Sequence, residues 1–294
     1  MKYKLICNPL AGRGRAKRRL SKIKKLLSIK DKDVYITSSL RDAENAAMIF
    51  AGYSPGVILC MGGDGILNAV INGILSVTNK IPVGFIPVGG CNVAAFSCGI
   101  PLKLKEASNI ILNGRTRRVD LGRVSLGRYY KRYFFSMIDF GLTAYIVHRI
   151  EKDYRIKRYW GKLSYIGYGL YYYLTKAISP IYIETDDFFE KAYHVVAANG
   201  AYYGGKFKIA PADLFDGKLD LCIFKGEKKS DLLKYVAGFL KRKHLEMREV
   251  KHLLVKKAEI TSDEPIPSQI DGEPFLFTPC SIEVVPKAIS MILP

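Results

Sequence analysis

The sequence predicts an α/β part with a parallel sheet over residues 1–121, followed by an antiparallel β part over residues 122–285. Three observations predict this. Strand-like and helix-like runs alternate through the first part, the pattern of a parallel sheet covered on both faces. The alternation stops after Val119-Asp120-Leu121-Gly122, and strand-like runs then follow one another with few helices between them. Three Gly/Asn-rich segments fall where strands of the first part should end, which is where open α/β sheets bind their ligands.

The elements read in order as follows. Lys4 to Asn8 is a strand and Ala16 to Leu27 a basic helix. Asp33 to Thr37 is a second strand, and Asp42 can cap a helix from Asp42 to Ala51. Val57 to Met61 is a strand, followed by a helix from Ile66 to about Leu75. Val83 to Val88 is a strand and Asn92 to Cys98 a short helix. In the second part, Tyr133–Met137, Ile181–Thr185, Tyr193–Ala198, Leu219–Phe224, His252–Ile260 and Ser281–Val285 read as strands. Ala144–Lys176 and Ser230–Glu246 read as helical inserts.

The segment that carries most chemistry is Cys60-Met61-Gly62-Gly63-Asp64-Gly65, between a strand and a helix. Glycines let the backbone approach a phosphate closely. A helix start aims free N–H groups and a positive dipole end at the same point. An aspartate there would repel bare phosphate, so it implies a metal ion or a transferring group nearby. The other sheet-edge segments are Asn8-Pro9-Leu10-Ala11-Gly12 and Gly89-Gly90-Cys91-Asn92.

The chain has 294 residues, 49% of them hydrophobic and 25% charged, a globular composition. Its longest uncharged stretch, Ile81 to Leu102, is broken by three prolines, four glycines and Asn92, so it is not a membrane span. The N-terminus enters a strand with no secretory apolar region. Six cysteines are scattered, none in a CxxC pair. This favours a reducing cytosol. The net charge of +19 calls for an anionic partner. Nucleic acid, an acidic membrane surface and phosphorylated substrates all satisfy it.

Further polar turns follow in the second part. Asn199-Gly200 ends a strand, and Ala210-Pro211-Ala212-Asp213-Leu214-Phe215-Asp216-Gly217-Lys218 is a Gly/Pro loop with two carboxylates. Such a loop suits a hard divalent cation helped by backbone carbonyls. Gln269-Ile270-Asp271-Gly272-Glu273-Pro274 puts two more carboxylates on a turn, and Gln269 is the only glutamine in the chain. A carboxylate far along the chain from a phosphate loop can serve as a general base.

Taken together, these segments resemble the diacylglycerol kinase catalytic family, which includes sphingosine and ceramide kinases and bacterial soluble lipid kinases. The resemblance covers nearly the whole chain in order. Asn8-Pro9 with Gly12, Thr37, the GGDG loop with Leu67-Asn68, and Ile86-Pro87-Val88-Gly89 leading to Asn92 match its first half. Asn199-Gly200, Ala210-Pro211, Asp216-Gly217 and Asp271-Gly272-Glu273 match its second. Ile66, Ala69, Cys91 and Val93 depart from it: the family usually has Thr after GGDG, often Glu after Leu-Asn, and Gly-Thr-Gly-Asn-Asp or Gly-Ser-Gly-Asn in the fourth loop.

The resemblance implies an α/β nucleotide domain, to which residues 286–294 return, a β-sandwich second domain, and an active cleft between them. It implies ATP as phosphate donor and Mg²⁺ as cofactor. Asn8, Pro9, Gly12, Thr37, Gly62, Gly63, Asp64, Gly65, Leu67, Asn68, Gly90 and Asn92 would bind the nucleotide. Asp64 would organise the catalytic Mg²⁺. Glu273, or in second place Asp271, would take the proton from a lipid hydroxyl such as that of diacylglycerol. Asp216 with the backbone carbonyls of Asp213 and Lys218 would form a second, structural Mg²⁺ site.

The lipid must come from a membrane. The basic and aromatic segment Arg149 to Lys162, followed by Tyr165, Tyr168, Tyr171, Tyr172 and Tyr173, suits peripheral docking on an anionic surface. The basic run Arg13 to Lys25 is a second candidate. The expected location is cytoplasmic and peripherally membrane-associated, with no nucleic-acid partner and a homodimer left open. Two rivals stand against this reading. One is a kinase of a soluble substrate resembling NAD kinase, a family that carries an Asn-Glu motif this chain lacks. The other is a non-catalytic binder of anionic lipid or nucleic acid.

Overall fold

A computed structural model describes residues 3–53, 56–78, 80–152, 163–175 and 179–294. The parallel core is built from β1 (Tyr3–Cys7), β2 (Val34–Ile36), β3 (Val57–Gly62) and β4 (Val83–Pro87), in the order β2-β1-β3-β4. The central strand β3 is buried along its whole length, as a sheet covered on both faces requires. On one face lie α1 (Ala11–Leu26) and α5 (Leu104–Asn113), packing Ala16, Ile23 and Ile111 against Leu5, Leu59 and Met61. On the other lie α2 (Leu40–Gly52) and α3 (Asp64–Leu75), packing Ala43, Ala47, Leu67 and Val70 against Ile6, Ile58 and Cys60. The short α4 (Val93–Ser97) follows β4.

Two long strands tie the chain together. β5 (Arg115–Leu126) pairs antiparallel with β18 (Cys280–Leu293) along almost their full length, interrupted by a bulge between Val285 and Ile289. Beyond the bulge β18 joins β4 in parallel, Met291 opposite Val83. Before it, β18 pairs with β15 (Lys257–Ser262), which leads on to β8 (Ile181–Glu184) and β9 (Phe189–Ala192). β6 (Tyr130–Phe134) lines the free side of β5. One ten-stranded sheet thus runs through both halves of the molecule. The change of texture read at Leu121-Gly122 falls inside a single strand.

A six-stranded antiparallel sheet lies over the far half of that sheet. It comprises β7 (Met137–Phe140), β10 (His194–Ala198), β13 (Leu219–Phe224), β14 (Val250–Val255), β16 (Pro267–Ile270) and β17 (Glu273–Phe277), in the order β14-β13-β10-β7-β16-β17. Ile138, Phe140, Val195, Leu221 and Ile223 meet Val124, Phe134, Ile183, Ile260 and Ile282 between the sheets, making a sandwich. The outer face is covered by α8 (Lys229–Leu240), through Leu232, Tyr235 and Phe239, and bears Tyr203 of the hairpin β11 (Tyr202–Tyr203) and β12 (Phe207–Lys208). Helices α6 (Leu142–Lys152) and α7 (Leu163–Thr175) pack on each other, and α6 packs against β16 and β17. Among the described residues, no helix is long and apolar enough to cross a membrane.

Three expectations are corrected. Helix α2 is capped by Ser39, whose hydroxyl accepts from the Asp42 N–H, while the Asp42 carboxylate accepts from the Ser38 N–H. His252–Ile260 is two strands in two sheets: β14 pairs with β13, and β15 with β18 and β8. The apolar alternation changes phase at Lys256-Lys257, so Val255 and Ala258 both face the interior. Tyr133–Met137 is likewise two strands, β6 and β7, and the turn at Phe135-Ser136 between them proves to be part of the site.

Candidate active site

Because β1 to β4 are parallel, their carboxyl ends share one edge. Asn8, Thr37, Gly63 and Gly89 follow those ends directly or within two residues. Asn8 accepts the Leu10 N–H on its side-chain oxygen, closing the turn that holds Pro9. The backbone then turns left-handed at Gly12, Arg13 and Gly14 before α1 runs on regularly. Arg15 donates to the carbonyls of Gly12 at 3.0 Å and Gly89 at 2.9 Å, tying the first loop to the fourth. The GGDG loop and the fourth loop touch through glycine: a Cβ on Gly89 would lie 2.5 Å from Gly63 Cα. Any side chain there would force the two loops apart. Gly90 borders open space.

Asp64 is the first residue of α3, and its Oδ1 accepts the Ala94 N–H at 2.9 Å, at the start of α4. Two helix starts therefore converge on one carboxylate. Burial pushes the Asp64 carboxyl above its ordinary value, against the pull of the Ala94, Val93 and Asn92 N–H groups. Asn92 is left-handed at φ 53° and donates to the Gly89 carbonyl, while its Oδ1 is buried without a partner among the described residues.

The second half delivers its carboxylates on the tight hairpin between β16 and β17. Asp271 and Gly272 both have positive φ, at 50° and 87°, as a two-residue turn of this hand requires. Asp271 accepts from the backbone N–H groups of Phe135 at 2.8 Å, Ser136 at 2.7 Å and Met137 at 3.0 Å, and from Asn68 Nδ2 at 2.8 Å. Burial pushes its carboxyl up to about 6 against these donors. Both oxygens are thus occupied by donors, and Asp271 clamps α3 to the β6–β7 turn. The residue expected in second place as the base thus holds the turn from which Glu273 projects. Asp271→Asn should cost roughly 3 kcal/mol, because the new amide faces N–H groups with no acceptor. Chemical denaturation of the folded variant checks this.

Glu273, at the start of β17, lies against the phosphate loop. A Cβ on Gly65 would stand 2.8 Å from Glu273 Oε1. Only glycine at this position lets the carboxylate approach the start of α3 so closely. Two segments 208 residues apart therefore meet at Gly65 and Glu273.

Several expected nucleotide contacts turn out to be internal. Asn68 is 5% exposed and spends its side chain on Asp271, the Tyr133 carbonyl and Asn72. Leu67 is core. The Thr37 hydroxyl donates to the Ser39 carbonyl at 2.6 Å. These residues shape the site without facing a ligand through those atoms. Gly12, Gly62, Gly63, Asp64, Gly65, Gly90 and Asn92 remain in its three loops.

The loop Asp213–Lys218 lies apart, at the β18 bulge. Asp213 Oδ1 accepts the Phe215 N–H and Asp216 Oδ1 the Lys218 N–H. Asp120, unassigned in the sequence reading and 2% exposed, accepts the N–H groups of Gly217 and Lys287, both at 2.7 Å. It thereby pins this loop to the junction of the two halves. Among the described residues no three metal-binding side chains cluster.

Gln269 was singled out only by its rarity. It is 2% exposed, donates to the buried Asp139 carboxylate at 2.5 Å, and accepts the Gly272 N–H at 2.7 Å. Tyr203 donates to the same Asp139 oxygen at 3.1 Å. Because a carboxylate accepts only, it fixes which end of the amide points at Gly272. The turn that presents Glu273 is thus held from behind.

A glycine-rich edge of an α/β domain, faced by a carboxylate from a β-sandwich, is an arrangement that suits phosphoryl transfer between two domains. Residues 2–124 match the diacylglycerol kinase catalytic domain, and residues 136–293 match the YegS C-terminal NAD kinase beta sandwich-like domain. The chain belongs to the family of proteins in which a diacylglycerol kinase catalytic domain is followed by a YegS C-terminal NAD kinase beta sandwich-like domain, the two matches together spanning nearly all of it. A "Putative lipid kinase" of Staphylococcus aureus strain Mu3 is 29% identical over 247 residues, covering 80% of this chain and 76% of its own. The crystal structure of "a putative diacylglycerol kinase from Bacillus anthracis str. Sterne" is similar with a TM-score of 0.80 and 28% identity, over 100% of this chain and 95% of that one. A second Bacillus anthracis structure, described as a diacylglycerol kinase, has a TM-score of 0.74 and 25% identity, over 100% and 97% of the two chains.

Proposed function

We propose that the protein is an ATP-dependent lipid kinase that transfers the γ-phosphate of ATP to a lipid hydroxyl such as that of diacylglycerol. The observation that carries this is the Glu273 carboxylate against Gly65 of the GGDG loop. A base that near the phosphate cradle can take the proton of an acceptor hydroxyl as its oxygen bonds to the γ-phosphorus and ADP leaves. The glycine loops bind the phosphates through backbone N–H groups, and Asp271 and Gln269 hold the hairpin that carries the base.

A hard oxygen ligand beside the phosphates is what Mg²⁺ takes, so Asp64 fits the role of its holder. An Mg²⁺ held by Asp64 would supply positive charge to offset the negative charge of the phosphates during transfer. The test is a panel of lipids and NAD offered with labelled ATP and Mg²⁺. Label on diacylglycerol supports the reading, and label on NAD alone overturns it.

The same reading assigns a second, structural Mg²⁺ to Asp216 and the carbonyls of Asp213 and Lys218. Asp216 fits such an ion through the carboxylate oxygen not accepting from Lys218, because Mg²⁺ keeps several waters and needs one or two carboxylates. Titrating Mg²⁺ without nucleotide should raise the melting temperature, and Asp216→Ala should abolish the rise. A wild type indifferent to Mg²⁺ would remove the assignment.

A further inference from the structure

Helix α8 is apolar on more than its core-facing side. Leu232 and Tyr235 are buried against the six-stranded sheet. Leu233, Val236 and Leu240 are 55%, 53% and 59% exposed. Spaced i, i+3 and i+7, they form a second stripe about 100° around the helix from the first. Lys234 and Lys241 border it, and Arg242 and Lys243 follow the helix, all exposed. Helix α7 carries a matching exposed set: Leu170 at 59%, Tyr171 at 53% and Leu174 at 66%. The Leu174 carbonyl accepts from Lys229 Nζ at 3.1 Å, which brings the end of α7 to the start of α8. At the other end of α7, the Tyr165 phenol is pushed above its ordinary value, first by burial and then by Cys91 and Glu273.

We propose that the adjoining apolar faces of α7 and α8 dock into the headgroup region of an anionic bilayer. An apolar stripe bordered by lysines is the pattern of a helix lying in a membrane interface. Lysines reach up to the headgroups while leucines enter the acyl boundary. A second copy of the chain is disfavoured as the occupant, because each carries a net charge of +19. The same charge favours an anionic surface. This deepens the lipid-kinase reading, since α7 would connect the bilayer to the site that holds Glu273. Of the basic segment expected from sequence to dock, Arg149 to Lys162, the part from residue 153 onward, with Arg155, Lys157, Arg158 and Lys162, lies outside the described residues.

The test is co-sedimentation of the full chain with vesicles of phosphatidylglycerol and phosphatidylcholine, without nucleotide. The triple substitution L233S/V236S/L240S touches only exposed side chains, and its melting curve reports that it folds. Expected is a loss of vesicle affinity of about tenfold or more. Wild-type binding should also weaken with added salt. Equal binding by wild type and triple variant overturns the proposal. So does loss of binding in K17S/R18S/K22S alone, which moves docking to α1. A concentration-dependent dimer that the triple variant dissolves makes the face a contact between copies, and also overturns it. Because the assay needs no turnover, vesicle binding through α8 stands even if no lipid is phosphorylated. A lipid kinase whose triple variant binds vesicles normally loses the docking face alone.

Discussion

Glu273→Gln should slow phosphoryl transfer to lipid by roughly 10²–10⁴ while leaving the fold and nucleotide affinity near wild type. The exchange keeps the side chain's shape beside Gly65 and removes its charge and with it its ability to accept a proton. Steady-state kinetics at saturating ATP, with ATP affinity measured separately, separates the two effects. An unchanged kcat in a folded variant removes the role from Glu273. Asp271 could not inherit it, since its oxygens are already occupied by Phe135, Ser136, Met137 and Asn68. The proton would then pass to water.

Asp64→Asn should reduce Mg²⁺-dependent transfer to about a thousandth or less, with little change in melting temperature. The asparagine oxygen can still accept the Ala94 N–H, so α4 stays anchored while the charge that would hold the metal is gone. Asp64→Ala should lose the same activity and also roughly 1 kcal/mol of stability, because the start of α4 loses its acceptor. Comparing the two variants separates metal binding from helix anchoring. Wild-type turnover in a folded Asp64→Asn protein would end the lipid-kinase assignment of that residue.

Much of the fold was legible because its signals are local. Short apolar runs mark β3, between Gly56 and Gly63, and β4, between Pro82 and Gly89. The two lysines at Lys256-Lys257 contain the phase change that splits β14 from β15, although their period alone reads as one strand. The strand β5 was missed because its first third, Arg115 to Arg118, is exposed and mostly charged. It is held by pairing with β18, a partner more than 150 residues away. No local pattern records such a pairing.

The site divides along the same line. The sequence by itself determined the chemistry: three glycine loops at one sheet edge, a carboxylate inside one of them, and two more carboxylates on a distant turn. It determined the family too, because those segments occur in order. Tertiary structure alone decided what Asp271 and Glu273, two residues apart in the same turn, each meet. The positive φ of Asp271 and Gly272 reverses the chain between them, so the two carboxylates leave the backbone on different sides of the turn. Asp271 therefore meets the N–H groups of the β6–β7 turn, whereas Glu273 meets Gly65. Structure likewise turned Asn68 from a ligand contact into a brace and gave Gln269 a task, since a hydrogen bond depends on ångström distances that residue order does not contain.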